Sequence, residues 1–175
     1  MVGKTEKAHN AFRRAINHTG SKGRTQVVRA LTKQTGAKRA TVLAALHVTK
    51  ANFGSLEYKI TARGQPLSLK EFGAKQFGYG VKAKPWGNSR RFEGAFIFAG
   101  TRKSGKFVAG GHVFKRTGGF SANSGRNNAI EKMFGPSIPK ELVKDASAAA
   151  FERTADDLGQ RVQHELSRMT RGVVS

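Results

Sequence analysis

Residues 95–111 read Ala95-Phe96-Ile97-Phe98-Ala99-Gly100-Thr101-Arg102-Lys103-Ser104-Gly105-Lys106-Phe107-Val108-Ala109-Gly110-Gly111, and the fold turns on what this stretch is. An apolar run that reads as a strand, followed by Gly, four residues and Gly-Lys, is how a nucleotide-binding P-loop begins. A working P-loop needs Ser or Thr after its Lys to hold magnesium, and a helix starting there so that backbone N–H groups cradle phosphate. Here Lys106 is followed by Phe107, Val108 and Ala109. Gly110 and Gly111 then oppose a helix, while the apolar residues favour a strand. Both requirements fail, and an NTPase is set aside. The stretch reads better as a hairpin: a strand Ala95 to Ala99, a basic loop Gly100 to Gly105 and a strand from Lys106.

The hairpin sits within a longer β-patterned region. Leu56, Tyr58 and Ile60 alternate with Glu57, Lys59 and Thr61, as in a half-buried strand. Leu67, Leu69 and Phe72 suit an extended turn or one helical turn, and Gly78 to Lys84 suits a strand with Val81 and Ala83 on one face. Phe92 to Phe98, Lys106 to Arg116 with a bulge at Gly110-Gly111, and Asn128 to Phe134 complete an antiparallel sheet of about four strands with basic loops. Ahead of it, Ala8, Ala11, Phe12, Ala15 and Ile16 predict a helix from Glu6 to about Asn17. Gly20 and Gly23 interrupt, and Thr25 offers a cap for a stretch holding Val27, Val28 and Leu31, as one kinked helix or two short ones. Lys38 to Leu46 predicts a further helix that groups Ala40, Leu43, Ala44 and Leu46. Behind the sheet, Ser137 can cap a helix that begins at Ile138 and Pro139. Phe151, Ala155, Leu158, Val162, Leu166 and Met169 then step by three and four, predicting a long amphipathic helix packed on the sheet. Helices, then strands, then a helix argue for an α+β fold, read as one domain: a helical region over 1–50, a sheet region over 52–134 and a C-terminal helical region over 137–171.

The chain has 175 residues and a formal charge of +21. The excess is uneven. Residues 1–130 hold 25 Lys and Arg against Glu6, Glu57, Glu71 and Glu93, whereas residues 131–175 hold seven of each sign. Such a surface attracts polyanions by steering and counterion release, or meets an acidic protein neighbour. Arg13, Arg14, Lys38, Arg39, Arg102, Lys103, Lys106, Lys115, Arg116 and Arg126 are the candidate contacts to a polyanion or another subunit. Lys38 and Arg39 stand out because a helix's first turn disfavours positive charge unless an anion is close. The longest apolar runs are about five residues, against the roughly 20 of a membrane helix, so a soluble protein with no membrane partner is expected. The basic, amphipathic first 24 residues resemble a transit peptide, although a surface helix explains them more simply.

No constellation for catalysis is written in the chain. Cysteine is absent, which excludes disulfides and thiolate metal sites. His9, His18, His47, His112 and His164 are scattered, and His164-Glu165 lacks the second His of a zinc-protease motif. Asp156-Asp157, beside Arg153 and Arg161, reads as a solvated helix face with surface ion pairs. No cofactor and no metal are expected. Phe92, Phe96 and Phe98 alternate, which suits a single-strand stacking platform but is explained more simply by core packing, with Phe107 and Phe114 joining.

The order of local motifs carries a further reading. Ala15-Ile16-Asn17-His18-Thr19, Thr25 to Leu31, Arg63-Gly64-Gln65-Pro66-Leu67-Ser68-Leu69-Lys70-Glu71-Phe72-Gly73-Ala74, Gly94-Ala95-Phe96, His112-Val113-Phe114-Lys115-Arg116 and Ile130 to Ile138-Pro139 follow one another along nearly the whole chain. In that order they resemble the minor tail protein Z family of tailed bacteriophages. The resemblance implies a virion structural protein that completes the tail at its head-proximal end, near the neck through which DNA passes, and implies no catalysis. Implied partners are other copies of the chain in a ring, sixfold by analogy with tail symmetry, together with tail-terminator or tail-tube and head-completion proteins, the tape-measure protein and double-stranded DNA. A closed ring uses heterologous interfaces, in which two unlike surfaces of one subunit meet. The neutral C-terminal helix and the basic remainder are two such surfaces.

Overall fold

The computed structural model describes residues 2–98, 109–118 and 129–169. The chain is an α+β protein: a long N-terminal helix, short antiparallel strands and C-terminal helices. Its contacts gather into two compact units. The first comprises Met1–Leu31, Arg39–Arg63 and Pro139–Ser175, the second Thr32–Lys38 and Gly64–Ile138. The three consecutive regions read from the sequence do not map one to one onto these units.

In the first unit, α1 (Val2–Thr35) is one continuous helix of 34 residues, whose last turn belongs to the second unit. Neither glycine interrupts it. Gly20 lies under the Tyr58 ring, so close that a Cβ would stand 2.2 Å from Tyr58 Cγ, and a Cβ at Gly23 would stand 3.2 Å from the Phe151 ring. The two residues are notches that admit aromatic side chains, and that packing outweighs the helix penalty of about 1 kcal/mol per glycine. Thr25 lies inside the helix and donates its hydroxyl to the Ser21 carbonyl rather than capping a new one. Buried positions recur at every fourth residue: Ala11, Ala15, Thr19, Gly23, Val27, Leu31 and Thr35. A spacing of four against 3.6 residues per turn rotates this line by about 40° per step. That drift explains why a fixed apolar face fails, and why Phe12, expected inside, is exposed.

Helix α2 (Arg39–Ala45) is shorter than expected and buries Val42, while Leu46 opens β1 (Leu46–Thr49). β1 pairs antiparallel with β2 (Lys59–Ala62), so the alternating strand begins three residues later than its pattern and leaves Leu56 exposed. Asn17 ties α1 to the chain after β1, its side-chain amide both donating to and accepting from the Ala51 backbone at 2.9 Å.

The second unit holds two three-stranded antiparallel sheets in place of one sheet of about four strands. β3 (Lys75–Phe77), β4 (Gly80–Ala83) and β5 (Arg90–Glu93) form one; β6 (Ala95–Phe98), β7 (His112–Arg116) and β8 (Ile130–Lys132) form the other. The expected strand Phe92 to Phe98 is split by Gly94, whose φ of +67° turns the chain out of one sheet and into the next. Val81, Ala83, Ala95 and Val113 are buried, together with Leu69 and Phe72 of the 3-10 turn Leu69–Phe72. Gln76 joins the sheets: its Oε1 accepts from the Ile97 amide at 2.8 Å and its Nε2 donates to the Gly80 carbonyl at 3.0 Å. β6 and β7 run antiparallel in register from Ala95↔Lys115 to Phe98↔His112, so Ala95 to Phe98 is a strand with an antiparallel partner as expected, but that partner begins at His112 rather than at Lys106. The loop Gly100 to Gly105 and the start of the expected second strand, Lys106 to Val108, lie outside the described residues. Gly110 and Gly111, with φ of +51° and +73°, form a left-handed turn ahead of β7 rather than a bulge within a strand.

At the C-terminal end α3 spans Ile138–Leu142, α4 Asp145–Ala155 and α5 Leu158–Met169. The single helix expected there is broken at Asp156-Asp157. Its inward residues differ too: Ala155 is exposed, while Thr154 and Glu165 are buried. Apart from Ile138, these helices belong to the first unit, where Phe151 packs on α1 at Gly23 and α4 lines a cleft together with Lys59 and Ile60 of β2.

Candidate nucleic-acid interface

Antiparallel register decides which charges share a face. In the β3-β4-β5 sheet, Lys75 stands opposite Lys82 and Lys82 opposite Arg91, so three cations form one row across three strands. Strands lie about 4.8 Å apart, which gives the row a span of roughly 10 Å. Like charges in directly opposed positions destabilise a sheet unless an anion answers them. All three are exposed, and none has an acidic partner among the described residues. The opposite face carries Val81 and Ala83 and is buried, so the row faces outward by the two-residue alternation of a strand.

Aromatic rings accompany the row. Phe77 ends β3 and Tyr79 sits in the β3–β4 turn; their rings stack at 5.4 Å with 4° between planes, and the Arg91 guanidinium lies 5.2 Å from the centre of the Tyr79 ring. Phe77 is 42% exposed. It also lines a cleft of about 450 Å³ that Lys75, Lys82 and Lys84 border, above Phe72 and Ala83. β4 lies close against β5 because Gly80, with φ +144°, carries no Cβ: one there would stand 2.2 Å from the Phe92 carbonyl oxygen.

The outer face of the second sheet is aromatic as well. Phe96 lies opposite Phe114 and Phe114 opposite Lys132. The two rings stack at 6.2 Å, Arg116 covers Phe96 at 5.7 Å, and the Lys132 ammonium sits 5.4 Å from the Phe134 ring. Phe92 lies in the other sheet, so the stripe expected of Phe92, Phe96 and Phe98 is replaced by Phe96, Phe98 and Phe114. Phe98 is exposed rather than core.

The candidate contacts divide by what answers them. Arg14 is 3.6 Å from Glu165, a carboxylate only 1% exposed that also accepts a hydrogen bond from Arg161. Arg13 lies over the Phe53 ring at 4.9 Å, with His9 stacked on the same ring. Lys115 faces Glu131 across β7 and β8, whereas Arg116 points to the aromatic face, so these neighbours diverge. Lys38 and Arg39 are exposed, and fall in different units. Arg102, Lys103, Lys106 and Arg126 lie outside the described residues. Asp157 pairs with Lys22 rather than with a helix neighbour. Lys75, Lys82, Lys84 and Arg91 were not singled out by sequence. Their signal was a Lys-x-Phe and a Lys-x-Lys on either side of a Gly-x-Gly turn, which strand alternation folds onto one face.

One polar pair has a shape associated with catalysis. The Ser68 hydroxyl and His112 Nδ1 are hydrogen-bonded at 2.8 Å. Burial, then the Lys132 and Lys70 cations, hold the imidazole's pKa below its ordinary value against a smaller opposite pull from Glu71. No carboxylate bonds the ring to orient it as a base among the described residues. Ser68 also bridges to Phe134 in the sheet, which gives the pair a structural task. Among the described residues no three His, Asp or Glu side chains come together to hold a metal ion, and no helix is long and apolar enough to cross a membrane. No family model matches the chain, and no similar curated protein or solved structure was found.

Proposed function

We propose that the chain is a non-catalytic structural protein of a tailed-bacteriophage particle. In this reading it acts in tail completion at the neck and presents the β3-β4-β5 sheet to DNA. The observation that carries the DNA-facing role is the unanswered row Lys75–Lys82–Arg91, which a polyanion would neutralise. The order of motifs along the chain supports the particle and its neck. A protein in that place works through interfaces, as copies in a ring beside tail-terminator, tail-tube and head-completion proteins, and requires no catalytic cleft. Cryo-electron microscopy of intact particles tests this directly. Density for the chain at the head-to-tail junction is expected, and a position elsewhere removes the assignment.

The aromatic outer faces favour a second reading, a nucleic-acid-binding protein of ribosomal or chromatin type. It differs in requiring tight binding by the isolated monomer. With six or more phosphates contacted, affinity would fall on the order of 10³-fold or more between about 50 and 200 mM salt.

A further inference from the structure

We infer that the cleft beside β3 and β4 receives an unpaired nucleotide of a single strand, its phosphates on the lysines and its base stacked on Phe77. This deepens the DNA-facing reading of the sheet and rests on it, but does not depend on the particle to which the chain belongs.

Three observations converge. The cleft's volume of about 450 Å³ falls among pockets that take small organic groups. Its rim supplies Lys75, Lys82 and Lys84, none of which forms an ion pair among the described residues, and the one acid that strand alternation puts on this face of the sheet, Glu93, stands opposite Gly80 rather than opposite a lysine, so the complementary occupant is anionic. Its wall supplies an exposed ring, Phe77, already held flat by stacking on Tyr79. A duplex backbone would need the cations alone. The ring matters only to a base free of its own stack, because paired bases hide their faces inside the helix. Cations tracking a backbone beside an aromatic platform are the general design of single-strand binding surfaces, and stacking tolerates any base.

The test measures fluorescence anisotropy of the full chain with a labelled oligothymidylate of roughly 16 nucleotides and with a duplex of equal length. The single strand is expected to bind more tightly. Phe77→Ala should weaken it by at least about fivefold and leave duplex binding unchanged, whereas Phe77→Trp should preserve it. Lys75→Gln with Lys82→Gln should weaken both DNA forms and flatten the salt dependence. Circular dichroism of each variant separates lost binding from lost folding. If Phe77→Ala does not fold, Phe77→Leu against Phe77→Trp makes the same comparison. A duplex bound as tightly as the single strand, or a Phe77→Ala effect that is nil or equal for both, overturns the inference and leaves the DNA-facing sheet standing. Binding of neither form removes both.

Discussion

The two units treat charge in opposite ways. The first has 17 Lys and Arg against eight acids, and its acids are set to work: Glu165 between Arg14 and Arg161, Asp157 on Lys22, Glu57 on Lys59. The second has 15 Lys and Arg against three acids, and no ion pair forms among its described residues. Cations that are paired help build the first unit. Those of the second contribute little to its folding and stay open to a partner.

Gly20→Ala should show the largest effect. A methyl that meets the Tyr58 ring at 2.2 Å forces it from its notch, and we expect a loss of about 3 kcal/mol in urea unfolding despite alanine's better helix propensity. Tyr58→Ala in the same chain should return some of that loss. Glu165→Ala comes next. It leaves two guanidinium groups without their shared carboxylate, and roughly 1–3 kcal/mol should be lost, tempered because the Arg14 side chain is 48% exposed. The comparison breaks if this variant is as stable as the parent.

A smaller effect belongs to His112. Its pKa is lowered in the folded chain, so the unfolded chain takes up the proton more readily. The contribution is fully present above the unfolded value of about 6.5 and is lost as pH falls from there through the folded value. Chemical denaturation across that window should show the slope, and His112→Gln should reduce it. Smallest of all, Lys75→Ala and Lys82→Ala should change stability by no more than about 0.5 kcal/mol, with relief of repulsion favouring the variant. A large loss from either would mean that the row serves the fold after all.

What the sequence made legible follows from the range of the interactions involved. The strand that opens at Ala95, the turn near Leu69 and the buried pair Val81 and Ala83 depend on local spacing, and local spacing is written in the chain; the partner of that strand, which begins only at His112, is not. The role of Gly20 depends on Tyr58, 38 positions away, so a glycine inside a helix pattern reads as a break until its partner is known. The Asp156-Asp157 break was hidden because apolar steps of three and four continue across it. The candidate site was legible only in outline. Net charge announced a polyanion, yet charge density picked out the longest basic loops and overlooked Lys75, Lys82 and Arg91. These lie up to 16 residues apart, and only register sets them in a row.

That row also lies where a small sheet is most vulnerable. β3 and β5 are its edges, and unpaired edges invite strands from other copies. Lys75 on one edge and Arg90 with Arg91 on the other make such an approach repulsive. Copies made at high concentration would therefore be kept apart by the same cations that a polyanion neutralises. Association through this sheet becomes conditional on company, and its order in time is set by when the negative charge arrives.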